Sequence, residues 1–329
     1  MKEKNALLVD FGRREFPANW DEYELIDSGG FEKLERFGKW VLRRPEPQAI
    51  WDKSLDEKQW VQLASATFAR GVGGDPEKGS WQLKPTMPER WWISYPLFGK
   101  TLKFRLGLTS FKHVGLFPEQ ASNWDWIYEQ VTEQKKKYIG GKQANNRDSD
   151  KNVGSESNAA SKPRVLNLFA YTGGASLAAC AAGADVTHVD SVKQVVTWSR
   201  ENMEESRLDG IRWLVEDAFK FVQREARRGK KYDGILLDPP AYGRGPEGEK
   251  WLLEKQLNEL MGLCGEILAD DGFFLLNLYS MGFSAMVAEN LIRKQVKSMG
   301  TELQKIQSGE LYLPDTQGNR LPLGTFVRF

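Results

Sequence analysis

Four polar or glycine-rich positions fall directly after four successive hydrophobic segments in the second half of the chain. They are the stretch Asn167–Gly173, Asp190, Asp217 and Asp238. In a doubly wound sheet, the residues that follow such strands converge on one crevice. A glycine turn that opens a helix presents backbone N–H groups to a polar ligand, and carboxylates accept hydrogen bonds from hydroxyl or amino groups. The pattern therefore predicts a cofactor site that faces a substrate site.

The three acids are predicted to have different partners. Asp190 follows Gly173 at the spacing expected for an acid that accepts hydrogen bonds from a ribose diol. Asp217 suits an adenine amino group, which leaves Asp238 to face the substrate. Taken singly, each Asp also reads as an ordinary helix N-cap. Their shared position after successive strands favours a common binding site.

A nicotinamide cofactor is the competing use of such a site. Residues 169–176 read FAYTGGAS, which is not the GxGxxG pattern that dinucleotide-binding folds place against a pyrophosphate. A dehydrogenase also has no need for Asp-Pro-Pro at residues 238–240. The residues therefore argue against a dinucleotide cofactor.

Composition excludes several other kinds of site. A chain of 329 residues predicts two domains. Its two cysteines and two histidines lack the spacing of a disulfide framework or a zinc site, so no metal site is predicted. The net charge of +1 is unlike that of a nonspecific nucleic-acid binder. Because no apolar run approaches about 18 residues and the N-terminus lacks a secretion signal, we expect a cytoplasmic protein with no membrane span.

The elements that would position the acids alternate between strand and helix from Val165 onward. Strands are predicted at 165–169, 185–189, 212–215, 234–237 and 273–278. Helices are predicted at 174–182, 191–206, 218–228, 251–268 and 283–298, and a closing antiparallel hairpin at 310–314 and 324–328. This alternation predicts a parallel sheet covered on both faces.

The first part of the chain has a different pattern. Short strand-like pieces at 23–27, 40–42 and 91–95 lie between Gly and Pro residues, which predicts a compact, mostly β module. Nine of the twelve tryptophans lie between Trp20 and Trp126. They suit a small aromatic core, and a base-stacking platform is the alternative. The predicted domains are 1–115 and 116–329, with the polar stretch 143–162 as a disordered insertion.

The chain resembles the class I S-adenosylmethionine (SAM)-dependent methyltransferases, and within them the bacterial large-subunit ribosomal RNA methyltransferases. The similar segments are VLNLFAYTGGASLAAC, HVDSV, ENMEESRL with Asn202, WLVEDAF through LLDPPAYGRGP, and the C-terminal GELYLPDTQGNRLPLGTFVRF. Upstream, LIDSGGFEKLERFGKWVLRRPEPQAIW and FKHVGLFPEQASNWDW look like the N-terminal module of one subgroup. The resemblance covers nearly the whole chain except the polar insertion.

This resemblance implies a fold and a set of site residues. The fold is α/β: a doubly wound, seven-stranded Rossmann-like sheet with a reversed final strand, preceded by a small, mostly β domain. The methionine part of SAM would lie among Asn167, Phe169, Tyr171, Thr172 and Gly173. The rest of the cofactor would contact Asp190 and Ser191 at the ribose, Asp217 and Ala218 at the adenine, and Gln120 in GLFPEQ beside it. Asp238, Pro239 and Pro240 would line the acceptor pocket.

An exocyclic base nitrogen is the predicted acceptor. The Asp238 side chain and the Pro239 carbonyl can accept its N–H bonds, and Tyr242 would stack on a flipped base or else pack in the core. Arg244 would contact a phosphate or lie on the surface. Relatives that methylate cytosine C5 use a cysteine after the fifth strand, whereas NLYSMGFS at 277–284 has none, and Ala241 replaces the usual lysine.

The predicted function is therefore SAM-dependent methylation of RNA, with a ribosomal RNA base nitrogen favoured over cytosine C5. Two alternatives remain open at this point. One is methyl transfer to a protein side chain or small molecule. The other is a non-catalytic RNA-binding scaffold that keeps the same fold. The sequence does not indicate an oligomeric state.

Overall fold

The computed structural model describes residues 13–15, 20–71, 78–145, 162–279, 282–296 and 306–329. Within these residues, a β-rich N-terminal part precedes a mixed sheet with helices. The predicted insertion 143–162 lies mostly outside the described residues. Its first three residues lie at the end of the long helix Ala121–Asn145.

The N-terminal part contains a five-stranded sheet and a separate two-stranded hairpin. Its elements are β1 (Arg13–Glu15), β2 (Tyr23–Gly29), β3 (Glu32–Phe37), β4 (Trp40–Pro45), α1 (Glu57–Leu63), β5 (Ala66–Arg70), β6 (Gly79–Leu83), β7 (Arg90–Leu97) and β8 (Lys100–Gly107). The five-stranded sheet has the order β2-β3-β4-β5-β6, and β7 pairs with β8. Helix α1 begins at a capping box, in which Asp56 and Gln59 each accept the other's backbone N–H. The mostly β character of this part is confirmed.

Five of the nine tryptophans from Trp20 to Trp126 are buried, three in the N-terminal part and two in the first turns of the helix Ala121–Asn145. The buried ones are Trp20, Trp60, Trp91, Trp124 and Trp126. Trp20 and Trp124 pack edge-on against each other and against Tyr95, with ring centroids 5.0–5.9 Å apart. Trp92, in contrast, is 43% exposed. This burial favours core filling over a stacking platform for the buried rings.

The second part begins with a 3₁₀ turn (Pro118–Gln120) and then alternates strands and helices. Its elements are α2 (Ala121–Asn145), β9 (Arg164–Leu168), α3 (Gly174–Ala182), β10 (Asp185–Asp190), α4 (Lys193–Glu205), β11 (Ile211–Val215), α5 (Ala218–Arg227), β12 (Tyr232–Leu237), β13 (Tyr242–Arg244), β14 (Lys250–Leu252), α6 (Leu253–Ile267), β15 (Leu268–Leu278), α7 (Ala285–Gln295), β16 (Gln307–Pro314) and β17 (Arg320–Arg328). The predicted β/α alternation and closing hairpin are confirmed.

Strands β13 and β14 pair with each other, and the other strands of this part join β1 in one sheet with the order β1-β16-β17-β15-β12-β9-β10-β11. Strand β17 runs antiparallel to β15 and β16, whereas the other pairs of this sheet are parallel. The seven implied strands and the reversed final strand are confirmed, and β1 adds an eighth strand at the edge. Neighbouring residues of β9 and β12 point into two different hydrophobic cores, so both faces of the sheet are covered.

Three predicted helix bounds are wrong. The helix predicted from Trp251 begins at Leu253, because residues 250–252 pair with β13 as an antiparallel hairpin. The helix predicted from Ser191 begins at Lys193, since Asp190 accepts the backbone N–H of Val192 and holds the chain outside the helix. The helix predicted at 283–298 covers Ala285–Gln295, and the last two predicted residues lie outside the described ranges.

Among the described residues, the two parts meet at several places, two of which lie away from the aromatic cluster of Trp20, Tyr95 and Trp124. At one, helix α4 packs on β8, where the Trp198 Nε1–H donates to the Arg105 carbonyl at 2.8 Å. At the other, the tip of the β16–β17 hairpin binds β2, where the Thr316 N–H donates to the Leu25 carbonyl at 3.1 Å and the Ser28 hydroxyl donates to Asp315 at 2.8 Å. Among the described helices, none has the length and apolar character needed to cross a membrane.

Candidate functional site

A cavity lies at the carboxyl ends of β9 and β12, between the turn that follows β9 and the start of α2. Its lining includes the predicted residues Gln120, Asn167, Phe169, Tyr171, Thr172, Gly173 and Asp238. A larger open groove of about 700 Å³ lies at the opposite end of the strands, beside Arg164, Cys180 and Asp185. That groove contains none of the predicted residues, so the smaller cavity is the candidate site.

The turn between β9 and α3 has an unusual backbone. Phe169 (φ 53°), Tyr171 (φ 49°) and Gly173 (φ 91°) all lie in the left-handed region. Such conformations cost free energy at residues other than glycine, and they concentrate at ligand-binding sites. At Gly174 a Cβ atom would lie 2.7 Å from the Trp124 ring, so a side chain does not fit. The turn is therefore held in a strained shape against α2.

Hydrogen bonds from several elements hold this turn. The Tyr171 carbonyl accepts from the Ser199 hydroxyl at 2.6 Å, and the Thr172 carbonyl accepts from the Asn202 amide at 3.0 Å. The Thr172 hydroxyl donates to the Gly115 carbonyl at 2.7 Å. Helix α3 begins at Gly174, and its N-cap residue Gly173 has no side chain to cap it, so the first-turn N–H groups are available to a ligand carboxylate.

Asp190 supports the same turn from β10. One of its carboxylate oxygens accepts the Tyr171 backbone N–H at 2.9 Å, and the other accepts that of Val192 at 2.9 Å. Burial raises the pKa of this carboxyl, and the backbone N–H bonds oppose the rise. Each oxygen keeps a further lone pair, which leaves Asp190 able to accept hydroxyl groups.

Asp217 is an N-cap in this structure. Its side chain accepts the Lys220 backbone N–H at 2.9 Å and so begins helix α5. Ala218, the first residue of that helix, is buried, and Ser191 is half-buried. Among the residues that line the cavity, Asp190, Ser191, Asp217 and Ala218 do not occur. Their cofactor contacts stay predictions.

Asp238 follows β12 directly and lines the cavity. It is half-buried, and burial raises the pKa of its carboxyl to about 6. The side-chain amide of Gln120 donates to it at 3.4 Å. Its carboxylate can therefore titrate near neutral pH, which is a common property of groups in active sites.

Pro239, Pro240 and Tyr242, which follow Asp238, are not among the residues that line the cavity, so their substrate contacts stay predictions. Pro239 is buried, whereas Pro240 is exposed and its carbonyl accepts the Trp251 Nε1–H at 2.6 Å. Tyr242 is 52% exposed, so it is not a core residue. Its hydroxyl accepts from Arg244 Nε at 3.0 Å. The ring therefore lies at the protein surface.

The sequence interpretation missed several residues of the site. Asn123 and Asn277 line the cavity and bond to Gln120, while Trp251 holds the Pro240 carbonyl and packs on the Phe169 ring. Asn277 follows an apolar run in the fifth predicted strand, a signal that could have marked it. Asn123 lies in a helix that the sequence reading did not identify.

The residues of this site fit a cofactor that carries an amino-acid end and a nucleoside. The uncapped start of α3 provides N–H groups for a carboxylate. Asp190, at the end of the neighbouring strand β10, provides carboxylate oxygens that can accept hydrogen bonds from hydroxyl groups. The small residues Gly173 and Gly174 let the ligand approach the backbone closely.

Comparisons with known proteins support the same assignment. Residues 153–302 match the family model described as conserved hypothetical protein 95. The crystal structure of a SAM-dependent methyltransferase from Agrobacterium tumefaciens is 36% identical in sequence, with a TM-score of 0.78, and the match covers 98% of this chain and 93% of that chain.

Two curated relatives match shorter segments. Ribosomal RNA large subunit methyltransferase K of Neisseria meningitidis is 30% identical over 46% of this chain and 43% of its own length. Ribosomal RNA large subunit methyltransferase I of Aeromonas salmonicida is 33% identical over 41% of this chain and 34% of its own length. The chain thus spans less than half the length of the curated relatives it matches. The similarity to the Agrobacterium enzyme, in contrast, runs through both chains, and this protein belongs to the SAM-dependent methyltransferases.

Proposed function

We propose that the protein transfers a methyl group from SAM to a base nitrogen of RNA, most simply ribosomal RNA. The observation that carries this proposal is the position of Asp238 at the end of β12. Its carboxylate faces the cavity with one long hydrogen bond, so it has capacity left for the N–H groups of an acceptor. Pro239 and Pro240 follow it and restrict the backbone there.

The positions of the two cysteines favour nitrogen over cytosine C5. Cys180 donates its thiol to the Asp209 carbonyl at 3.1 Å in the groove at the other end of the strands, and burial raises its pKa to about 11. Cys264 is fully buried in α6, and burial raises its pKa as well. C5 methylation needs a thiolate that attacks the ring. Neither thiol lines the cavity, so direct attack by nitrogen fits the site better.

Each part of the site would have a separate task. SAM supplies an electrophilic methyl group on a sulfonium. The first-turn N–H groups of α3 would bind the methionine carboxylate, while Asp190 and Asp217 accept from the ribose and the adenine. The Asp238 carboxylate and the Pro239 carbonyl would accept the N–H bonds of the acceptor and aim its lone pair at the methyl group. Asp238 would also take the proton that the nitrogen loses.

RNA is favoured as the acceptor because the two curated relatives are ribosomal RNA large subunit methyltransferases. The exposed Tyr242 ring would stack on a base that has left its helix, with Arg244 beside it for a phosphate. We further propose that residues 1–115 present the substrate to the site in 116–329, and that the protein works in the cytoplasm.

The test offers SAM with a labelled methyl group to ribosomal RNA and, separately, to total cell protein from a strain that lacks the gene. We expect label in the RNA, and mass mapping would then locate the nucleotide and the atom. Label found in protein alone would end the RNA proposal in favour of a side-chain acceptor. A failure of the protein to bind SAM in calorimetry would favour the non-catalytic scaffold.

A further inference from the structure

A chain of side-chain amides connects Asp238 to a buried guanidinium. The Gln120 Nε2–H donates to Asp238 at 3.4 Å, and the Gln120 Oε1 accepts from Asn123 at 3.0 Å and from Asn277 at 3.1 Å. Asn123 Nδ2 also donates to Asn277 Oδ1 at 3.0 Å. At the far end, Arg328 Nη1 donates to Asn123 Oδ1 at 3.0 Å. Four separate segments of the polypeptide therefore meet in this series of hydrogen-bonded side chains, the amide chain.

The members of this chain are held in place by burial. Asn123 is 1% exposed, Asn277 6% and Arg328 3%. The guanidinium lies over the rings of Trp126 and Phe326 and also donates from Nε to Gln307 at 3.1 Å. A buried polar group that loses its hydrogen-bond partner destabilises the folded state, so the bonds between these side chains are strongly favoured.

The direction of the chain follows from the chemistry of its end. An amide can turn either its oxygen or its NH₂ group toward a neighbour, whereas a guanidinium has donors alone. Arg328 therefore requires the Asn123 oxygen, which turns the Asn123 NH₂ group toward Gln120 and Asn277. The Gln120 oxygen then accepts from both asparagines, and its NH₂ group is left to face Asp238.

We propose that Arg328 is a positioning residue that fixes the polarity of this amide chain and so keeps an N–H of Gln120 directed at Asp238. Without a donor at position 328, the three amides can reverse together. The Gln120 oxygen would then face the Asp238 oxygens, an arrangement that disfavours the carboxylate and favours the protonated acid. Arg328 would thus control the protonation of a side chain that it does not touch.

The surroundings of Asp238 make this effect measurable. The other polar side chains that line the cavity are neutral amides, a hydroxyl, a phenol and an indole: Gln120, Asn123, Asn167, Asn277, Thr172, Tyr171 and Trp124. Burial raises the pKa of the Tyr171 phenol far above neutral, so it does not titrate with Asp238. Burial is also the cause that raises the Asp238 pKa, with no charge contribution resolved from the described residues.

The experiment follows the Asp238 carboxyl by carbon NMR in protein labelled at the aspartate side-chain carbon, with D238N to assign the signal. In R328Q we expect the Asp238 pKa to rise by about 1 unit, because the donor-only end of the chain is lost. R328K keeps donors alone and should titrate close to wild type. R320Q, an exposed arginine on the same strand, is the matched control. Unchanged titration in R328Q, or an equal shift in R328K, would overturn the proposal.

A double-variant cycle separates polarity from the simple loss of a positive charge. If Arg328 acts through Gln120, adding R328Q to Q120L should produce no further shift of the Asp238 pKa. A shift that persists in the Q120L background would mean that the charge acts through space, and the amide chain would be irrelevant. N123S interrupts the chain without changing any charge and should raise the pKa in the same direction if R328Q does not fold.

The catalytic meaning of this inference rests on the proposed role of Asp238, but the titration requires neither SAM nor RNA. The two proposals can therefore fail separately. A shifted Asp238 pKa in R328Q with no methylation of RNA would support the role of the amide chain and refute RNA as the acceptor. An unchanged Asp238 pKa in R328Q of an enzyme that methylates RNA would refute the role of the amide chain and support the proposed function.

Discussion

The N-terminal module and the end of β12 each hold a carboxylate away from water, and the pKa values of these two carboxylates shift in opposite directions. In the module, Glu35 is fully buried, and its carboxylate accepts hydrogen bonds from Arg44 Nε at 2.8 Å and Nη2 at 2.5 Å. The Lys33 ammonium lies 3.7 Å from the same carboxylate. Burial alone would raise the Glu35 pKa, but the charges of Arg44 and Lys33 lower it below its usual range. Asp238 meets an amide instead of a cation, and its pKa rises to about 6.

The difference separates a structural carboxylate from a reactive one. A buried carboxylate that is paired with cations stays ionised and has no capacity to exchange a proton near neutral pH. Burial disfavours the ionised form of the Asp238 carboxyl, and a single amide donor offsets this only in part. Such a carboxyl can gain and lose a proton near neutral pH. Changes in the module should therefore affect stability, and changes beside β12 should affect chemistry.

The largest expected effect is that of Asp238→Ala. We expect the rate of methyl transfer to fall at least about 1,000-fold, because the acceptor loses both its orientation and its base. SAM affinity, measured by calorimetry, should stay close to wild type. Asp270→Ala, an exposed acid at the other end of the neighbouring strand, is the control. A comparable loss of SAM affinity would show that the Asp238 carboxylate binds the cofactor and not the acceptor.

Arg44→Met tests the module side of the comparison. The change leaves Glu35 buried without its main cation, so we expect the free energy of unfolding in urea to fall by about 3 kcal/mol or more. Replacing Glu35 by leucine at the same time should recover most of this loss. Arg36→Met, at a partly exposed ion pair 3.5 Å long, should cost far less. An equal loss in both single variants would refute the role of burial.

Glu119→Gln tests the boundary between the two regions. Glu119 is 3% exposed, its Oε2 has no hydrogen-bond partner among the described residues, and burial raises its pKa to about 7. Since the folded state holds this proton more tightly than the unfolded state, stability should fall as the pH rises from about 4 to about 7.

Glutamine removes that titration. We therefore expect Glu119→Gln to match wild type near pH 4 and to be more stable by about 2–3 kcal/mol at pH 8, measured by urea unfolding at both values. Glu89→Gln, at a position with a more exposed side chain, serves as the control. A constant difference at both pH values would show that the effect is not due to ionisation.

The smallest expected effect is that of Trp251→Phe beside the active site. Phenylalanine keeps a ring against Phe169 but removes the N–H that binds the Pro240 carbonyl. We expect a loss of about 1 kcal/mol in stability and a several-fold lower rate of methyl transfer, since the segment after Asp238 loses one constraint. A larger loss of stability with an unchanged rate of methyl transfer would show that Trp251 stabilises the fold and does not affect the reaction.

Local patterns in the sequence were enough to predict the alternating strands and helices from β9 onward and the acids that follow three of these strands. Buried parallel strands are continuous apolar runs, and the chain must turn at the residue after each run. Asp190 and Asp238 were recognisable for that reason, and so was the glycine turn after β9. The β13–β14 hairpin was not, because Trp251 begins an apolar stretch that continues into a helix and its pairing partner lies several residues earlier.

The amide chain at Asp238 was decided by tertiary structure alone. Gln120, Asn123, Asn277 and Arg328 come from the turn before α2, from α2 itself, from β15 and from the last strand. Each is an unremarkable polar residue in its own segment, and the strand order brings them together across as many as 205 positions of sequence. Local spacing fixes which residues end a strand, but the partners of a buried polar group depend on which distant segments pack beside it.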